Sequence, residues 1–176
     1  MLGIGLALLG RSQGRAEWII LGLSGALLHV WNHALFKGLL FLTAGSIIHG
    51  VETREIDQLG GLAMRMPRTS ICFVIGALAV CGLPALNGFV SEFLIYLGLF
   101  DTLKTDKGSA FAAAALAAPI LAMIGALAVA CFVKLFGAVF LGTPRSEHSR
   151  HAHESGLSMI GPMSVLAACC LGAVHF

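Results

Sequence analysis

Long apolar runs separated by short polar connections set the pattern of this chain. The runs cover residues 1–10, 18–50, 68–82, 84–100, 109–142 and 157–176. A bilayer span needs about 20 mostly apolar residues. The first run is too short to span alone, the second is long enough for a tilted or extended helix, and the others come near or exceed a span. All are expected to be helical, because an open sheet edge has no partners for its backbone in hydrocarbon. The connections at 11–17, 51–67, 101–108 and 143–156 hold most of the charge. The expected fold is an all-α, polytopic bundle of about five or six membrane helices.

Three prolines shape these helices. Pro67 suits a first helical turn, where its missing N–H costs nothing. Pro84 lies between Gly82 and Asn87-Gly88, which predicts an interrupted helix at that point. Pro119 falls inside an otherwise continuous run and frees the carbonyl of Ala115. Small residues at 112–118 and at Gly38, Gly45 and Gly76 read as surfaces for close helix approach. The run 1–10 has no basic residues ahead of it and no cleavage pattern behind it. It reads as the second half of a spanning helix, so the chain is expected to begin partway through a larger protein.

Composition supports a lipid environment. Hydrophobic residues make up 57% and charged residues 11%, against about 25% charged in soluble domains. A net charge of +2, with basic residues scattered singly through the connections, leaves no nucleic-acid face. Arg11, Arg15, Arg145 and Arg150 would share one side of the membrane and Arg54, Arg65, Arg68, Lys104 and Lys107 the other, a balance that sets no orientation. Cys72, Cys81, Cys131, Cys169 and Cys170 all lie in apolar runs without a C-x-x-C spacing and read as small buried hydrophobes. Within the chain no cofactor or metal site is expected.

Chemistry concentrates in the second run. His29, His33 and Lys37 are spaced by four, so they share one helix face with successive members about 6 Å apart along the axis. That separation suits proton transfer through one or two waters. A lysine at bilayer depth costs about 2.5–3.5 kcal/mol on insertion scales, so Lys37 should face the bundle interior, a wet cavity or a carboxylate. The alternative is that the histidines are helix–helix hydrogen-bond glue and Lys37 belongs to a fixed ion pair. Glu92 follows the interruption at 82–88. It reads either as a proton acceptor at a broken helix, whose ends expose unpaired backbone groups, or as an interfacial cap of the next helix. Lys134 lies about 12 Å from the end of its run and either serves the relay or snorkels to the interface. His148, His151 and His153, with Glu147 and Glu154, read as a solvated loop.

These motifs carry a resemblance. Residues 29–50, Gly60-Gly61-Leu62 through Met66-Pro67, and 82–92 resemble the antiporter-like membrane subunits of respiratory complex I and of multisubunit cation/proton antiporters. The segment 131–145 and Ala152-His153-Glu154 are similar to the branch formed by the large membrane subunits of hydrogenase-4 and formate hydrogenlyase, which are group 4 hydrogenase complexes. The resemblance implies a fold of about fourteen helices with two inverted five-helix half-channels, of which the first is missing here. It implies that His29, His33 and Lys37 form a central relay, that Glu92 is the ionisable residue of the broken helix and that Lys134 is a basic position on the following long helix. It further implies a proton-translocating role in a bacterial inner membrane. The implied partners are other membrane subunits and a peripheral electron-transfer arm holding the iron–sulfur and nickel–iron centres. A cation/proton antiporter subunit and a non-conducting scaffold, with Lys37 and Glu92 permanently paired, are the other readings.

Overall fold

The computed structural model describes residues 1–84, 86–105 and 108–172. The expected end of the last run at 173–176, and Lys107, lie outside the described residues. All regular structure among the described residues is helical: α1 (Leu2–Gln13), α2 (Ala16–Val51), α3 (Pro67–Val80), α4 (Asn87–Thr105), α5 (Ser109–Phe140), α6 (Glu147–Arg150) and α7 (Leu157–Gly172), with short 3₁₀ turns at Ile56–Gln58 and Leu62–Met64. Two of these, α2 and α5, are long and apolar enough to cross a membrane.

α2 organises the bundle and packs against α1, α3, α4 and α7. Its 36 residues extend about 54 Å at 1.5 Å per residue. α1 turns back on it through Gly14, whose φ of 68° ends the first helix in the left-handed region. The two approach closely, because Gly3 and Gly22 leave no room for a side chain between their backbones.

α3 and α4 lie end to end along α2 and run antiparallel to it. Ser46 meets Thr69, Asn32 meets Asn87 and Trp18 meets Asp101. The expected interruption therefore exists, and it falls at the level of Asn32. Pro67 opens α3 at its first position, as its missing donor favours. After Cys81, Gly82 adopts φ 64° and turns the chain. Gly88 then lets α4 start against the carbonyl of Ala79, a contact that any Cβ would block. α5 continues through Pro119. Its aromatic face, Phe132, Phe136 and Phe140, packs on Phe73 of α3.

The connection 143–156 corrects the expectation of a solvated loop. His148, His151 and His153 are exposed, but Ser149, Ala152 and Ser155 are buried. Ser146 and Ser149 donate to the carbonyl of Gln58. The segment then threads between the ends of α2 and α3, where the His153 N–H donates to the carbonyl of Gly50. Glu154 accepts from the Arg68 N–H at 2.8 Å, the Thr69 N–H at 3.4 Å and the Thr69 hydroxyl at 2.5 Å. It caps α3 from 85 residues away in the chain. Small side chains at 149, 152 and 155 allow the segment to seat, which a count of its polar residues does not reveal.

Candidate functional site at the helix break

The row on α2 forms as its spacing predicts. The rings of His29 and His33 stand 6.0 Å apart, and Phe36 packs edge-on to His33 at 5.3 Å. His29 is half-buried and faces α4, where its Nδ1 lies 3.1 Å from the Ser91 hydroxyl. Ser91 is fully buried and donates its single proton to the Gly88 carbonyl at 2.9 Å. The geometry therefore casts His29 Nδ1 as donor to Ser91, which leaves Nε2 as the acceptor of the neutral ring. One helical turn away, Asn32 Nδ2 donates 2.7 Å to the Asn87 carbonyl. Together these bonds fasten α2 to the start of α4.

Glu92 is half-buried, and its carboxylate lies against Gly82 on the other side of the break. A Cβ at Gly82 would come within 2.6 Å of Glu92 Oε2. The left-handed backbone favours glycine here, and a Cβ would push the flexible Glu92 carboxylate aside. Glu92 does not cap α4, since it sits more than one turn inside a helix that begins at Asn87.

The structure does not draw all the expected residues together. His33 is exposed on the outside of the described bundle, and Lys37 is half-buried. The permanent Lys37–Glu92 pair that a scaffold role calls for is not formed: among the described residues neither side chain takes part in an ion pair. Lys134 is exposed on α5 beside Val133, on the side away from the Phe73 contacts, with no hydrogen bond to the cluster. Asn32 was not singled out by sequence reasoning. The available signal was a polar residue three positions from His29 in an apolar helix.

The arrangement is a polar seam between a long helix and a broken one, inside the apolar run 18–50. The family described as NADH:quinone oxidoreductase/Mrp antiporter, transmembrane region, matches residues 4–105, more than half of the chain. The chain belongs to this family. It is 44% identical over 171 residues to hydrogenase-4 component B of Escherichia coli, covering 97% of this chain and 25% of the relative. With formate hydrogenlyase subunit 3 of Escherichia coli it shares 40% over 174 residues, covering 97% and 28%. The chain thus spans about a quarter of the length of these curated relatives. Among solved structures, the Mrp complex from Dietzia sp. superposes with a TM-score of 0.70 at 22% identity, over 86% of this chain and 34% of that one. That likeness shows the shared helical fold. The chain is therefore an antiporter-like membrane protein of this transmembrane family, similar along its length to part of two hydrogenase-type relatives.

Proposed function

We propose that this chain supplies part of an intramembrane proton path in a group 4 hydrogenase or complex I-like assembly. The path runs through His29, His33, Lys37 and Glu92, with Lys134 as its continuation on α5. One observation carries the reading. His29 is bonded to Ser91, one turn into α4 and next in sequence to Glu92, whose carboxylate lies against Gly82 at a break where two helix ends meet. A row of titratable groups leading to a broken helix is an arrangement that moves ions, and intramembrane ionisable residues are functional by default.

In this reading α2, the α3–α4 pair, α5 and α7 are spans of a bacterial inner-membrane subunit, with α1, too short to span alone, packed on α2. α3 and α4 count as one interrupted span. Other membrane subunits flank it, and the peripheral arm carries the iron–sulfur and nickel–iron centres. The high identity to the two hydrogenase-type relatives favours this assembly over a cation/proton antiporter.

The test is proton uptake into proteoliposomes holding the complete assembly, with Lys37→Ala and Glu92→Gln compared with the unaltered protein. Loss of uptake in either variant, with electron transfer partly retained, is the expected result. Uptake intact in both variants makes these residues structural and overturns the proposal.

A further inference from the structure

Among the described residues, three buried polar atoms at the helix break lack a hydrogen-bond partner: Asn32 Oδ1, Asn87 Oδ1 and Asn87 Nδ2. Their residues are 1% and 0% exposed, respectively. The two side chains belong to one nook, because Asn32 Nδ2 is bonded to the Asn87 carbonyl at 2.7 Å. The thiol of Cys170 on α7 lies near the Asn87 amide, but not in hydrogen-bond geometry, and a thiol is a weak partner in any case. Buried amide groups left unmet are costly, and in native proteins each such group calls for an explanation.

We propose that the Asn32–Asn87 nook is a binding site for an ordered internal water. The donor and acceptor set selects the ligand. It has to accept from Asn87 Nδ2 and donate to the two Oδ1 atoms. A monovalent cation cannot accept from an N–H, and the start of α4 turns the positive end of the helix dipole toward it. An anion cannot donate and would face two oxygens. Water does both, and a buried water makes about three hydrogen bonds, which matches the three atoms that need partners. Exchanging O and N of the Asn87 amide leaves the same set, so the choice does not depend on that assignment. The water bridges α2 to α4 one turn from the Ser91 hydroxyl that holds His29. It is a property of the break itself and stands whether or not the chain moves protons.

The experiment is a density map of the complete assembly fine enough to resolve ordered water, paired with a stability cycle. A peak at about 2.7–3.2 Å from Asn32 Oδ1 and the Asn87 amide is expected. It should disappear in Asn32→Leu while Asn87 keeps its place. A peak at the shorter separations of about 2.3–2.6 Å typical of a metal ion, or no peak with Cys170 bonded to the amide, overturns the proposal. In the cycle, Asn32→Leu and Asn87→Leu each lower the melting temperature of the assembly. The double variant should melt no lower than the worse single one, since a shared ligand is lost only once. Additive losses overturn it. Proton uptake is not a readout, so failure of the relay and failure of this site are separate results.

Discussion

Glu154 joins three elements that the sequence keeps far apart, and replacing it tests the packing described above. Its carboxylate takes the Arg68 and Thr69 N–H groups in the first turn of α3, where such groups have no partner inside the helix, together with the Thr69 hydroxyl. Thr69 in turn accepts from Ser46, and Ser46 lies 2.7 Å from Ser155. With Thr69 donating to Glu154, the chain runs Ser155 to Ser46 to Thr69 to Glu154, each hydroxyl donating to the next. Losing a helix cap costs about 0.5–2 kcal/mol, and losing a hydrogen bond to a charged group about 1.5–3 kcal/mol. The carboxylate is half-exposed, so water softens the loss and the lower ends apply. Glu154→Ala should therefore destabilise this region by about 2 kcal/mol, and Glu154→Gln, which keeps an accepting oxygen, by about 1 kcal/mol. The assay is thermal denaturation of the complete assembly, together with protease cleavage of segment 143–156 in membrane vesicles. Arg150→Ala is the control, since its ion pair with Glu147 is 62% and 72% exposed and should contribute little. A Glu154→Ala variant that melts with the control and shows no new cleavage would refute the role of Glu154 as a latch.

Other outcomes follow from the break and from the far end of α2. Gly82→Ala forces a Cβ into a left-handed residue, at about 1–2 kcal/mol, and displaces the Glu92 carboxylate. Proton uptake should fall further than the melting temperature, and equal uptake would argue against the placement of Glu92. Ser91→Ala removes the hydroxyl that fixes His29 and should cost about 1 kcal/mol while slowing uptake in proteoliposomes. Gly88→Ala sets a side chain against the Ala79 backbone, which cannot give way, so the assembled subunit should be recovered in much lower yield from membranes. Trp18→Phe loses the 2.8 Å bond to Asp101 and should lower stability by about 1–2 kcal/mol in the same melting assay, with uptake unchanged.

Much of this protein follows from local rules. Apolar run length and the exclusion of unpaired backbone from hydrocarbon determined the helices and, to within a few residues, their limits. Gly82, Pro84 and Asn87-Gly88 marked the break, because each weakens or ends a helix whatever surrounds it. The spacing of His29, His33 and Lys37 determined that they share a face, since helical geometry alone settles it. The sequence did not tell which neighbour that face would meet. The antiparallel register of α2 against α3 and α4 brought Ser91 to His29 and Asn87 to Asn32, and pairings across more than 50 residues have no local signature. The same holds for Glu154. Its stretch is as polar as any solvated loop, and only the space left beside small residues at the ends of α2 and α3 turned a charged side chain inward to cap a helix.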